Sequence, residues 1–170
     1  MKRNVIYYIS ICIFLLISSS VFAEDKNNSD KIFDGIITEY MKITDTLSKD
    51  KTKDVKRNSE KIVGLLEELS KTKFNSKGKN YKDLINKMEK GAKKLVKAKN
   101  IARMRKALKK LSTPMVKIIV LEKPLGVNVA YCSMYEGGAK WLTAGKKIEN
   151  PYWGSKMFSW GSIVFSGPEK

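Results

Sequence analysis

Apolar residues recur at helical spacing over a long central stretch of this chain, from Ser29 to about Pro124. Glycine and proline are sparse within it, so little interrupts the periodicity. Spacings of three and four residues place apolar side chains on one face of a helix, and that face must be buried against another element. The pattern predicts a mostly α protein whose four amphipathic helices form an antiparallel four-helix bundle.

Breaks in the periodicity set the expected limits of the helices. The polar stretch from Asn75 to Asn80 favours a loop between the second and third helices. Pro114 should kink or restart the last helix, because proline has no N–H to donate. The sequence leaves open whether the third and fourth helices are separate or nearly continuous. The predicted helices cover about Ser29–Leu47, Thr52–Thr72, Tyr81–Asn100 and Ile101 to about Pro124.

The first 23 residues have the pattern of an export signal. Lys2 and Arg3 precede an apolar stretch, Val5–Ile17, and small residues lead to a predicted cleavage after Ala23. An uncleaved membrane anchor is the competing interpretation, but serines at positions 18–20 interrupt the span that an anchor needs. We therefore expect a periplasmic or secreted protein without a stable membrane span after cleavage.

The charge balance narrows the function classes. The 170 residues include 34 Lys+Arg, 17 Asp+Glu and no histidine, for a formal charge of +17. Without imidazole, a histidine-based triad and a zinc protease are excluded. Nucleic acid is not an expected partner, because the export signal leads away from it and no recognised binding motif accompanies the charge. Anionic lipid, polysaccharide or an acidic protein could still be attracted by the lysines.

The composition changes after Pro124, where helical periodicity stops and glycines cluster with all three tryptophans. We expect a loop-rich cap over about 125–167, with short strands at Val127–Tyr131, Lys140–Thr143 and Ser162–Phe165. A segment this short cannot bury its own core. Residues 24–170 are therefore predicted to be one domain, in which the helical part covers about 29–124. Several aromatic residues of the cap should pack against the helices: Trp141, Tyr152, Trp153, Phe158 and Trp160.

Three sulfur-containing side chains lie in the cap. One residue separates Cys132 from Met134, and Met157 follows after an Asn-Pro turn. Thiolate and thioether ligands select soft ions such as Cu(I), and by the same softness Ag(I). The alternative is that the sulfurs fill irregular gaps in the core, as methionine and buried cysteine often do. Cys132 is the only cysteine expected after cleavage, so it has no internal disulfide partner.

The cap resembles one known family through four short motifs: Tyr131–Met134, Gly138–Leu142, Ile148–Gly154 and Met157–Gly161. The family is an exported bacterial domain of unknown function, found alone or appended to periplasmic adaptor subunits of copper and silver efflux pumps of the resistance-nodulation-division class. Upstream, the helix with Arg105 and Leu111–Ser112 resembles the family's last helix more weakly. The resemblance implies that Cys132, Met134 and Met157 occupy soft-metal positions.

Two departures from the family pattern bear on this site. Ser133 replaces a proline, which loosens a preset turn, and Trp160 stands where a second cysteine is expected. Trp160 either fills space in a degenerate site or caps a bound Cu(I) or Ag(I) through a cation–π contact worth ~1–2 kcal/mol.

The expected function is therefore non-catalytic. The chain is predicted to bind a soft metal or to assist metal efflux, with Cys132 as the anchoring ligand, Met134 and Met157 as thioether ligands and Trp160 as a wall. The alternative is a structural or interaction module with a degenerate metal site, which docks on an efflux adaptor or another acidic envelope partner. An enzyme is the weakest class, because no motif would activate a cysteine nucleophile. The oligomeric state is not set by the sequence.

Overall fold

The computed structural model describes residues 28–72, 74–76 and 79–169. The predicted export signal, residues 1–23, lies outside these ranges. Among the described residues, no helix combines the length and the apolar composition needed to cross a membrane.

Four helices account for most of the described chain. Helix α1 runs over residues 28–48, and the other three are α2 (Val55–Leu69), α3 (Lys82–Val96) and α4 (Ile101–Glu122). The predicted apolar stripes are buried, including Ile36 and Tyr40 of α1, Ile62 of α2 and Leu108 of α4. The mostly helical fold is therefore confirmed. Helix α4 begins at Ile101 as predicted, and the other helix ends differ from the predicted ones by one to four residues.

The junction between α3 and α4 answers the question left open by the sequence. The helices are separate, because α3 ends at Val96 and Asn100 caps α4 by accepting a hydrogen bond from the backbone N–H of Arg103 at 3.0 Å. Pro114 does not restart α4, which is continuous through it. Of the two expected effects, a kink or a restart, the restart was wrong, because the turns around Pro114 stay helical and buried although this residue cannot donate to the carbonyl of Lys110.

The helices contact one another through specific residues. Lys61 Nζ of α2 lies 3.6 Å from Glu39 Oε1 of α1, and the Tyr40 hydroxyl of α1 lies 2.6 Å from Ser112 Oγ of α4. Helix α3 packs against both α2 and α4. The residues buried among the helices continue into the sheet, where Val129, Cys132 and other side chains belong to the same hydrophobic core.

Two small antiparallel sheets complete the described fold. Strands β1 (Asn75–Ser76) and β2 (Lys79–Asn80) pair where the sequence indicates only a loop. The second sheet contains β3 (Val127–Cys132), β4 (Ala139–Ala144) and β5 (Ser162–Phe165), in the order β4-β3-β5. These are the three strands expected in the cap, with β3 and β4 slightly longer than predicted.

Half of the cap's eight aromatic residues lie between β4 and β5, and Trp141 lies in β4 itself. Trp141 and Tyr152 are buried, as expected, and their rings meet edge to face with centroids 6.0 Å apart. Trp153 and Phe158 are partly buried. Trp160 differs from the prediction, because 54% of it is exposed. It precedes β5, an edge strand, and so lies away from the helix-packed part of the sheet.

Candidate functional site

Cys132, the predicted anchoring ligand, lies inside the protein. It is the last residue of β3, the central strand, and pairs across the ladder with Ala139 of β4. Its side chain is completely buried and the thiol is free. Cys132 lies near Tyr152. Burial is the main cause of the raised pKa of Tyr152, and Cys132 makes the smallest contribution. A small buried thiol of this kind contributes to packing.

The other three predicted site residues lie nearer the surface. Met134, in the turn after β3, is 57% exposed, Met157 ends a short 3-10 helix (Gly154–Met157) and is partly buried, and Trp160 is exposed. The backbone N–H of Trp160 donates to the carbonyl of Met157 at 3.0 Å, which ties these two residues into one turn.

The sheet brings Met134 and Trp160 to the same end, the one at which β3 finishes and β5 begins. Tyr131 of β3 pairs with Ser162 of β5, so that Trp160 approaches the sheet at the end where β3 leaves it toward Met134. The soft donors nevertheless lie in two environments, a buried thiol and a surface thioether. Within the described part of the chain, no group of three or more His, Cys, Asp or Glu side chains could hold a metal ion.

The motif at 148–154 builds a turn. Asn150 is completely buried, and its Oδ1 accepts hydrogen bonds from the backbone N–H groups of Tyr152 and Trp153 at 2.9 and 3.3 Å. Its Nδ2 donates to the carbonyl oxygen of Trp160 at 2.8 Å, and its backbone N–H donates to the carbonyl oxygen of Phe158 at 2.7 Å. One side chain therefore closes the whole loop between β4 and β5.

Arg105 of α4 holds this loop against the helices. Its guanidinium donates to the carbonyl of Pro151 at 2.9 Å, to the carbonyl of Leu47 at 3.0 Å and to Asp50 Oδ1 at 2.6 Å. The second oxygen of Asp50 accepts from the backbone N–H of Ser155 at 2.8 Å. Hydrogen bonds from Ser155, and then from Arg105, lower the pKa of Asp50 to about 2. We call Arg105, Asp50 and Ser155 the tail latch.

Only glycine fits at position 154, beside the tail latch. Its φ of 58° lies in the left-handed region, and a Cβ added to it would be 2.1 Å from Asp50 Oδ1 and 2.3 Å from Arg105 Nη2. The glycine of the motif is therefore required by the close approach of the loop to these two side chains.

Three hydroxyl groups join the cap to the helices in the core. Ser112 Oγ lies 2.6 Å from the Tyr40 hydroxyl and 3.1 Å from the Tyr152 hydroxyl, which also donates to the carbonyl of Lys140 at 2.8 Å. Ser112 donates to the carbonyl of Leu108 at 2.8 Å. Burial is the main cause of the raised pKa values of Tyr40 and Tyr152, so both stay neutral. The network is satisfied within the core and holds no accessible nucleophile.

The sequence does not mark the tail latch as a unit. Arg105 lies 55 residues from Asp50, which in turn lies 105 residues from Ser155. The available signal is Gly154 within the Asn-Pro-Tyr-Trp-Gly motif, because a glycine after a turn often marks a close backbone approach.

Unpaired lysines dominate one side of α3 and of α4. Lys87, Lys93 and Lys106 have carboxylate partners within 4 Å. Several other exposed lysines on or next to these helices have no such partner among the described residues. Five of them are called the lysine face: Lys90, Lys94, Lys97, Lys110 and Lys117. On each helix their spacing of three, four or seven residues places them on one side.

Comparison with known proteins identifies the helical part of the chain. The model of the family described as "Protein of unknown function (DUF3347)" matches residues 36–125, which is more than half of the chain. The match covers most of α1 through the end of α4, whereas the motifs between Tyr131 and Gly161 lie beyond it. Searches of curated proteins and of solved structures gave no significant match. By its helical region, this chain belongs to the DUF3347 family of proteins of unknown function.

Proposed function

We propose that the protein is an exported, non-catalytic module that binds an acidic partner or another anionic component of the cell envelope. The observation that carries this proposal is the lysine face, whose five ammonium groups have no carboxylate partner within the described residues. Unpaired charges of one sign steer and hold a partner of the opposite sign. An efflux adaptor is the partner class that the family resemblance implies.

The internal contacts of the cap support this function over chemistry in the tail. Asn150 closes the loop, Arg105 fixes it to the helices, and Tyr152 bonds into the core. These motif residues are used to hold the fold, so the exposed face of α3 and α4 is the more available surface. The same contacts between cap and helices support a single domain over residues 24–170. Short connections, at 49–54 between α1 and α2 and at 97–100 between α3 and α4, support an antiparallel arrangement of the helices.

The proposal predicts salt-sensitive binding to an acidic polymer. The purified protein should bind immobilised polyglutamate at low ionic strength, and the affinity should fall by about tenfold or more between 50 and 300 mM NaCl because salt screens exposed charges. Replacing Lys97→Glu and Lys117→Glu should weaken binding more than the matched pair Lys51→Glu and Lys53→Glu, which lies in the exposed connection between α1 and α2. No binding, or equal losses in both double variants, would contradict the proposal.

Soft-metal binding is a second candidate function. It is favoured by one observation: the sheet brings the end of β3, the turn with Met134 and the approach of Trp160 to one place. In this proposal Cys132, Met134 and Met157 bind Cu(I) or Ag(I), and Trp160 forms a cation–π wall.

Anaerobic titration with Cu(I) against a competing chelator tests this candidate. Cys132→Ala should lower the affinity by about tenfold or more, since it removes the only thiolate of the set. Met134→Leu provides a variant at a mostly exposed position that leaves the core intact, and Met41→Leu on α1 is the matched control. If Cys132→Ala and Met134→Leu both bind as tightly as the Met41→Leu control, the metal site is wrong.

A further inference from the structure

A groove lies where α3 and α4 cross, and lysines surround it. Its volume is about 350 Å³. It is lined by Gly91, Thr113 and Pro114 and by the side chains of four lysines, Lys87, Lys90, Lys94 and Lys110, and its walls are mostly hydrocarbon. Lys90 and Lys94 are four residues apart on α3, so they project from the same side of that helix.

Gly91 is the reason that lysines from two helices meet here. A Cβ at this position would lie 2.6 Å from the backbone nitrogen of Leu111 and 2.7 Å from its Cα. The absence of a side chain therefore allows α3 and α4 to approach backbone to backbone. This close crossing brings the side chain of Lys94 against that of Lys110.

The charges around the groove are not balanced by the protein. Lys87 pairs with Asp83 at 2.6 Å, whereas Lys90, Lys94 and Lys110 have no carboxylate within 4 Å in the described ranges. The neighbouring ammonium of Lys110, and then that of Lys90, lower the pKa of Lys94. An anion placed between these groups would replace repulsion by attraction.

The donors in the groove favour a particular kind of anion. Ammonium groups are point-charge donors without acceptors. The hydroxyl of Thr113, which also lines the groove, already donates to the carbonyl of Lys109 at 2.8 Å. A phosphate group presents three oxygens and a charge of about −1.5 to −2, enough to contact three ammonium groups at once, whereas a carboxylate has two oxygens and one charge.

We propose that Lys90, Lys94 and Lys110 form a binding site for a phosphate-bearing ligand in the groove between α3 and α4. This inference rests on the proposed anion-binding function of the lysine face, and it names the site and the chemistry of the partner. Two sources can present that group, a lipid headgroup at a membrane surface and a free phosphate compound.

Calorimetric titration with inorganic pyrophosphate tests the site directly. Wild type should bind, and Lys94→Gln together with Lys110→Gln should weaken binding by about tenfold or more, since two of three phosphate contacts are lost. Lys51→Gln together with Lys53→Gln removes the same charge from a distant exposed loop, and it should change the affinity by less than about twofold. The groove variant removes like-charge repulsion, so its fold is not placed at risk.

A second experiment distinguishes a lipid headgroup from a free phosphate compound, and it separates failure of the phosphate site from failure of the proposed anion-binding function. Sedimentation with vesicles that contain phosphatidic acid, whose headgroup is a phosphomonoester, compared with phosphatidylcholine vesicles, should show lysine-dependent binding if the source is a lipid headgroup. Pyrophosphate binding without vesicle binding identifies a free phosphate compound. Equal losses in the groove and control variants would overturn the site. Binding to polyglutamate without binding to pyrophosphate or vesicles would overturn the phosphate chemistry alone, whereas no binding to any of these anions would overturn the proposed function as well.

Discussion

Gly91→Ala is expected to lower the free energy of unfolding by about 3 kcal/mol, because overpacking against fixed backbone has few ways to relax. The new methyl group would lie 2.6 Å from the backbone nitrogen of Leu111 and 2.9 Å from the carbonyl carbon of Lys110. Neither atom belongs to a flexible side chain that could turn away. The two helices must separate, and urea unfolding followed by circular dichroism measures the loss.

Gly64→Ala is the matched control for this prediction. Gly64 also lies within a helix, but no atom is within 4 Å of its added Cβ. Alanine there should raise the free energy of unfolding by about 0.5–1 kcal/mol, because it restricts the unfolded chain and favours helix. A Gly91→Ala protein as stable as the Gly64→Ala protein would show that the α3–α4 crossing is looser than described.

The same substitution connects the fold to the proposed phosphate site. Moving α4 away from α3 would increase the distance between the side chains of Lys94 and Lys110. Pyrophosphate affinity should therefore fall in Gly91→Ala and stay unchanged in Gly64→Ala. Both lysines remain in place, so the effect would come from geometry and not from a change in charge.

The helices could be predicted because each carries its own apolar stripe. Val55, Ser59 and Ile62 are spaced so that only a helix buries all three, and the structure buries them. The three strands of the cap could be predicted as well, from short β-favouring runs between glycines. At Pro114 the sequence left a kink or a restart open, because only tertiary packing decides between them, and α4 continues through this residue.

The site was harder to predict because its contacts join distant residues. A strand pattern does not say whether Cys132 faces solvent or core, and β3, the central strand, is buried at nearly every position. The sequence therefore left ligand and packing as alternatives for this thiol. Helical spacing places Lys90 beside Lys94, but the approach of Lys110 depends on the crossing at Gly91, which only tertiary packing decides.

Arg105→Met is the second substitution expected to have a large effect. Methionine keeps most of the hydrocarbon volume but loses the hydrogen bonds to Leu47, Pro151 and Asp50. We expect the free energy of unfolding to fall by about 1.5–3 kcal/mol, the range for hydrogen bonds of a charged group. Arg103→Met, on the exposed side of the same helix, is the control and should change stability by less than about 0.5 kcal/mol.

The tail latch also predicts a specific dependence on pH. The pKa of Asp50 is about 2 in the folded protein against an ordinary value of 3.8, so the folded state favours the carboxylate. Its stabilising contribution is complete above pH 4 and is lost as the pH falls through about 2, when the carboxylate takes up a proton. In Arg105→Met the pKa of Asp50 should rise toward its ordinary value, and the loss should then occur at a higher pH.

Acid titration of the wild type, Arg105→Met and Asp50→Asn measures this coupling. Tryptophan fluorescence reports the cap, because Trp141, Trp153 and Trp160 all lie in it. Asp50→Asn should remove the part of the acid transition that belongs to the latch, and combining it with Arg105→Met should cost less than the sum of the two single changes, since both break the same contacts. Strictly additive losses, with an acid transition that Asp50→Asn does not alter, would mean that something other than Arg105 and Asp50 holds the cap to the helices.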